Sequence, residues 1–196
     1  MKQRVWTIPN ILSFIRLALV PVFLYLLLAR HAWGPATGIL MFSGTSDWAD
    51  GKIARLVPNQ SSRLGELLDP LVDRIYMVTV PVGLALAGVV PWPVVAILLG
   101  RDLVLAATLP VLRSRGVDAL PVTYIGKAAT FALMSGFPLV LLGQWEALWS
   151  RVIGAIGWGF VIWGIGMYLW SAVLYLIQVR MVASRLPRVR HDAAPS

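Results

Sequence analysis

Residues 46–74 read S-D-W-A-D-G-K-I-A-R-L-V-P-N-Q-S-S-R-L-G-E-L-L-D-P-L-V-D-R and hold five of the chain's nine acidic residues: Asp47, Asp50, Glu66, Asp69 and Asp73. The sequence around them is hydrocarbon-like. Over 196 residues the chain is 58% hydrophobic and 13% charged, with a mean hydropathy of +0.76. Soluble domains carry about a quarter charged residues. The composition therefore predicts an all-α integral membrane protein. A spanning helix needs roughly 20 apolar residues, and six such stretches fit: 11–29, 35–54, 67–90, 92–111, 125–143 and 152–179. Residues 1–182 are then one membrane domain, preceded by an amphipathic N-terminal segment, and 183–196 form a basic cytoplasmic tail. The first stretch, with Lys2 and Arg4 before it, has the look of a secretory signal. Arg16 inside it and the five later stretches read instead as a retained helix.

Lysine and arginine set the orientation, because basic loops stay in the cytoplasm. Lys2 and Arg4 precede the first stretch, Arg55 and Arg63 lie between the second and third, Arg113, Arg115 and Lys127 between the fourth and fifth, and Arg180, Arg185, Arg188 and Arg190 follow the sixth. The opposite loops hold only Arg30 and Arg151. Both termini and the acidic segment are expected on the cytoplasmic side of a multi-pass plasma-membrane protein. The net charge of +8 follows this topology and suits anionic lipid headgroups, so no nucleic-acid partner is expected. With no cysteine, thiolate chemistry and Cys-ligated metal sites are excluded, and with two histidines, in a short loop and in the tail, no histidine-centred site is expected.

Asp47 and Asp50 are three apart at the cytoplasmic end of the second stretch, and Asp69 and Asp73 are four apart at the start of the third, so each pair shares a helical face. Pro58, Asn59, Gln60, Ser61 and Ser62 reverse the chain between them. Four converging carboxylates need cations. Mg²⁺ or Mn²⁺ suits an all-oxygen donor set; an ion-pair cluster with Arg55, Arg63 and Arg74 is the structural alternative. Gly51, Ala54 and Gly65 leave room for close ligand approach, or serve helix packing. Glu66 reads as a surface residue. Metals, the Arg55 cation and a cleared surface describe a site for a pyrophosphate-containing molecule, and its position at headgroup level points to a lipid substrate.

The pattern D-W-A-D-G-K-I-A-R, nine residues, then G-E-L-L-D-P-L-V-D resembles the signature of the CDP-alcohol phosphotransferases, D-x-x-D-G-x-x-A-R followed after usually eight residues by G-x-x-x-D-x-x-x-D. Every fixed position is present, and the extra spacer residue falls near Val57-Pro58. I-P-N-I-L-S-F-I-R-L-A-L-V-P-V-F resembles the family's amphipathic start and first helix. The resemblance implies a homodimer that transfers a phosphatidyl group from CDP-diacylglycerol to an alcohol hydroxyl, releases CMP and uses two metal ions. It assigns metal binding to Asp47, Asp50, Asp69 and Asp73, with Asp73 also the general base. It assigns the donor's nucleotide and diphosphate to Gly51 and Arg55, with Ala54, Gly65, Ser62 (or Ser61) and Asn10 as further donor contacts.

The acceptor is read from Arg101, Arg113, Arg115 and Lys127. Charges deep in a membrane helix are costly and usually functional; a structural Arg101–Asp102 pair is the alternative reading. Phosphatidylglycerophosphate synthases usually show R-E-I-x-x-x-x-x-R here; R-D-L-V-L-A-A-T-L places Leu109 at the second arginine. It resembles instead the R-D-x-x-L-x-A of CMP-forming cardiolipin synthases, which share the nine-residue spacer. Phosphatidylglycerol is the expected acceptor. Likeness to actinobacterial members often labelled as glycerophosphate enzymes keeps glycerol 3-phosphate as the alternative. A small cation or proton transporter is the alternative of another class, but no inverted repeat is evident. Tyrosines and tryptophans are expected as interfacial anchors, and G-A-I-G-W-G-F-V-I-W-G-I-G as a packing or dimer surface.

Overall fold

A computed structural model describes residues 8–56, 63–117 and 124–185; the side chains of 8, 9, 47–56, 63–67, 69 and 70 lie outside that description. Among the described residues the chain forms six α-helices and no strand: α1 Ile8–Leu24, extended by a wider turn at Tyr25–Ala29, α2 Trp33–Leu56, α3 Arg63–Leu86, α4 Trp92–Arg113, α5 Tyr124–Leu142 and α6 Leu148–Arg185. Four are long and apolar enough to cross a membrane: Asn10–Ala29, Trp92–Arg113, Tyr124–Leu142 and Leu148–Arg185. α2 and α3, at 24 residues each, are about 36 Å long. Charges in the halves next to residues 57–62 make them less apolar than the rest. At 38 residues, α6 is about 57 Å long, against a hydrocarbon core of about 30 Å, and it continues past residue 182, the expected end of the membrane domain.

The helix ends follow local chemistry. α3 stops at Leu86, earlier than the expected residue 90, because Gly88 takes φ 74° and Val89 N–H bonds back to the Leu84 carbonyl at 2.9 Å. That is a left-handed glycine cap. Gly116, φ 75°, closes α4 the same way, with Val117 N–H on Leu112 at 3.1 Å. Between α5 and α6 the buried Ser150 hydroxyl donates to the Leu142 carbonyl at 2.7 Å and accepts Trp145 N–H at 3.1 Å.

The core lies where α1, α2, α3 and α5 meet, around Phe23, Leu27, Leu84, Leu133 and Leu141. Large apolar side chains also point outward, such as Leu103, Ile162 and Trp163, as lipid-facing helices require. α5 and α6 make the closest helix pair. A methyl on Gly157 would sit 2.6 Å from the Val140 backbone nitrogen, and one on Gly143 would sit 2.6 Å from the Gly154 Cα. Small residues let membrane helices approach this closely. Gly154, Gly157 and Gly164 of the glycine-rich run thus pack inside the chain, against α5. Gly159→Ala adds a methyl with nothing within 4 Å and is expected to leave the melting temperature in detergent unchanged or raised. Gly157→Ala should lower stability by about 1–3 kcal/mol, the usual cost of overpacking. Equal melting temperatures for the two variants would contradict this account of the interface.

Candidate active site

The buried positions of α1 are Asn10, Ser13, Arg16, Val20, Phe23 and Leu27. Their spacing of three or four residues marks one helical face, polar over its first two turns and apolar beyond. The polar turns meet the charged halves of α2 and α3. Arg16, 2% exposed, places Nη1 3.2 Å from Asp73 Oδ1. Tyr76, one turn beyond Asp73 on α3, donates its hydroxyl to the Arg16 carbonyl at 2.9 Å and lies 2.8 Å from the Ser43 hydroxyl of α2. One phenol thereby joins three helices. Ser43 precedes Asp47 by one turn and Tyr76 follows Asp73 by one turn, so the Ser43–Tyr76 contact sets the carboxylate-bearing turns of α2 and α3 side by side. This register suits the all-oxygen donor set of Asp47, Asp50, Asp69 and Asp73 for a hard divalent cation.

Asp73, with its side chain 47% exposed, opens onto a cavity of about 480 Å³ enclosed by α3, α4, α5 and α6. Its polar wall is one network. Asp102 Oδ1 accepts from Arg101 Nη1 at 2.8 Å and from the Tyr168 hydroxyl at 2.6 Å, while Arg74 Nη1 stands 3.5 Å from Oδ2. Arg101 Nη2 donates to Ser171 Oγ at 3.0 Å, and the guanidinium lies 4.1 Å over the Tyr168 ring. The buried Arg101 Nε has no partner among the described residues. Of its five N–H donors the network uses two. One carboxylate shared by two guanidiniums leaves an excess positive charge, a setting for an anionic group.

A second, apolar cavity of about 750 Å³ lies between α2 and α5. Gly126 and Thr130 of α5 line both cavities.

The expected residues divide accordingly. Of the four cations assigned to the acceptor, Arg101 lines the polar cavity. Arg113 is exposed at the end of α4, Arg115 donates to the Ala183 carbonyl of α6, and Lys127 lines the apolar cavity, its ammonium 5.9 Å from the Tyr124 ring. Asn10 is buried on the polar face of α1. Asp47, Asp50, Gly51, Ala54, Arg55, Gly65, Glu66 and Asp69 belong to α2 and α3, with side chains outside the described residues; Ser61 and Ser62 lie outside them altogether. Two tyrosines depart from the interfacial reading. Tyr76 and Tyr168 are buried, and their hydroxyls bond to Arg16 and Asp102. Sequence reasoning also passed over Arg16 and Ser171. For Arg16 the signal was present, as a charge inside the first apolar stretch.

A carboxylate-bearing helix junction beside a polar cavity with two arginines, within a bundle of apolar helices, suits an anionic group presented from a lipid surface. A family model described as CDP-alcohol phosphatidyltransferase matches residues 6–163, and the chain belongs to that family. It is a phosphatidyltransferase of phospholipid biosynthesis. A Mycobacterium tuberculosis protein provisionally named cardiolipin synthase is 61% identical over 192 residues, 98% of this chain and 91% of that protein. The cardiolipin synthase (CMP-forming) of Streptomyces coelicolor is 44% identical over 197 residues, covering 98% and 88%. A CDP-diacylglycerol–glycerol-3-phosphate 3-phosphatidyltransferase of Arabidopsis thaliana is 28% identical over 195 residues, covering 91% and 82%. No solved structure matches the chain.

Proposed function

We propose that the chain joins CDP-diacylglycerol to phosphatidylglycerol, forming cardiolipin and CMP. The acceptor's free hydroxyl oxygen bonds to the phosphatidyl phosphorus, the bond from that phosphorus to CMP breaks, and the hydroxyl proton passes to Asp73. The observation that carries this reading is Leu109. It lines the polar cavity, two turns from Arg101 on α4, at the position where glycerol-3-phosphate enzymes usually have a second arginine. With Arg101 already committed to Asp102, the wall suits a phosphodiester monoanion better than a phosphate monoester, which carries about −1.5 to −2 charge near neutral pH.

Two divalent ions, Mg²⁺ or Mn²⁺, on Asp47, Asp50, Asp69 and Asp73 would neutralise the donor diphosphate and the departing CMP. Gly51 and Arg55, with Ala54, Gly65, Ser62 and Asn10, bind the donor, and Arg101 holds the acceptor phosphate. The enzyme spans the plasma membrane six times with both termini and the site cytoplasmic, and acts as a homodimer. The basic loops and the lengths of α2 and α3 support this topology. The glycerol 3-phosphate reading draws on Arg74, whose side chain is 73% exposed and lines the same cavity, where it offers a second cation.

Purified protein given labelled CDP-diacylglycerol with a divalent metal, and phosphatidylglycerol or glycerol 3-phosphate in parallel, tests the assignment. Cardiolipin is the expected product, and Arg101→Gln is expected to raise KM for phosphatidylglycerol about tenfold, the loss of one charge-assisted hydrogen bond, with the donor KM unchanged. Phosphatidylglycerophosphate as the product would transfer the acceptor assignment to glycerol 3-phosphate.

A further inference from the structure

We propose that Asp102 selects the acceptor by charge: it cancels one of the two guanidiniums of the polar cavity, so that the wall favours a singly charged phosphodiester over a more highly charged phosphate monoester. This rests on the acceptor assigned above and names the residue that sets it. The charged side chains lining the cavity are Asp73, Arg74, Arg101 and Asp102. Asp73 has Arg16 against it at 3.2 Å. Arg74 and Arg101 both stand on Asp102, at 3.5 and 2.8 Å. The wall thus keeps the equivalent of one positive charge.

A carboxylate does this only while it stays turned toward the guanidiniums. Two donors on Oδ1 hold it there: Arg101 Nη1 and, from α6, the Tyr168 hydroxyl at 2.6 Å. Arg101 is fixed in turn by Ser171 Oγ at 3.0 Å and by the Tyr168 ring, 4.1 Å from the guanidinium carbon. Tyr168 and Ser171 lie beyond residue 163, where the family-model match ends. This clamp on the acceptor wall is therefore built by a part of α6 outside that match. The Arg101 and Asp102 side chains are 16% and 21% exposed, so salt and water screen their charges less than they would at an open surface.

The expected size of the effect follows from the cavity. Its volume of about 480 Å³ is that of a sphere roughly 10 Å across, so a phosphate inside it lies within about 10 Å of Asp102. A phosphate monoester carries about −1.5 to −2 charge near neutral pH, about half to one charge more than a phosphodiester monoanion. At an effective dielectric of about 20, one carboxylate acting on that extra charge from about 6–12 Å changes affinity roughly tenfold.

Asp102→Asn removes the charge and keeps the shape. Its amide oxygen still accepts from Arg101 and Tyr168, and its amide nitrogen faces Arg74, which at 73% exposure is free to turn into water. The ratio of kcat/KM for glycerol 3-phosphate to that for phosphatidylglycerol is expected to rise about tenfold. Arg74→Gln should lower the same ratio about threefold, a smaller shift because the Arg74 charge is more screened, and the double variant should move back toward wild type by that factor. Recovery on removing a second side chain is a mark of charge, since damage to packing would compound instead. A ratio unchanged or lowered in Asp102→Asn overturns the proposal, as does a double variant no closer to wild type than Asp102→Asn alone.

Tyr168→Phe keeps the ring under Arg101 and the charge on Asp102 but removes one donor from the carboxylate, so the charge weighs more on a bound anion and the ratio falls. An unchanged or raised ratio takes Tyr168 out of the clamp. Wild-type protein that prefers glycerol 3-phosphate overturns the functional reading, while the direction of the Asp102→Asn shift still judges Asp102. Where Asp102→Asn fails to fold, or no acceptor is turned over, calorimetric titration of wild-type and Arg74→Gln protein in detergent reads the preference as binding. The probes are glycerophosphoglycerol, the soluble phosphodiester headgroup, and glycerol 3-phosphate. Tighter binding of glycerophosphoglycerol to the wild type is expected, with the gap widened in Arg74→Gln. Equal affinities in the wild type, or an unchanged gap in Arg74→Gln, overturn the assignment.

Discussion

Asp73→Asn reduces CMP release from CDP-diacylglycerol by about 10³-fold while the protein still folds. Asparagine keeps the shape of the side chain and an oxygen able to face Arg16, so the α1–α3 contact loses charge more than packing. It removes the group proposed to take the acceptor proton, a contribution of typically 10²–10⁴-fold, and one of the four carboxylates proposed as metal ligands. Of the four signature aspartates, Asp73 is the one whose side chain falls among the described residues: half-exposed, at the rim of the polar cavity and 3.2 Å from Arg16. Its carboxylate is therefore open to a substrate in that cavity while tied to α1. CMP release and the melting temperature in detergent should be measured together. Activity within about tenfold of wild type at an unchanged melting temperature would take Asp73 out of the reaction.

The acidic signature was legible because its information is local: spacings of three and four residues on helices define faces regardless of what packs on them. Helix ends were less legible: the expected third stretch overran α3 by four residues, because Val89 and Val90 look apolar enough to continue a helix that Gly88 has already closed. The register between distant helices was not legible. Tyr168 and Asp102 are 66 residues apart in sequence and 2.6 Å apart in space, and a tyrosine in an apolar stretch fits a membrane interface as readily as a buried hydrogen bond. Likewise the cations of the α4–α5 region were read as one acceptor group from the chain, yet the fold sends Arg101, Arg115 and Lys127 to three different places. The polar stripe Asn10, Ser13 and Arg16 lies between these cases. Its three-residue period is readable in sequence, but what it faces is set by α2 and α3.

Arg16→Met lowers kcat by about 10²-fold with the donor KM little changed. Methionine fills much of the arginine's buried volume, so the substitution tests charge and geometry rather than a cavity. Stripping one partner from a fully buried ion pair costs about 3–5 kcal/mol; here Asp73 is 47% exposed, water takes over part of the lost contact, and the stability cost should be nearer 1–2 kcal/mol. The larger effect falls on the reaction. Tyr76 and Ser43 anchor the backbone of α1 at Arg16, and the guanidinium carries that anchoring to the Asp73 carboxylate; without it the carboxylate samples rotamers pointing away from the acceptor hydroxyl. A hundredfold loss corresponds to about 2.7 kcal/mol in the barrier, within what misplacement of a reacting group can cost. Arg16→Lys separates charge from geometry: the ammonium keeps the charge but lacks the planar fork, so partial recovery of kcat is expected. A purely structural Arg16 would instead give a lower melting temperature with wild-type kcat at temperatures where the variant is folded, and Arg16→Lys would then match wild type in rate.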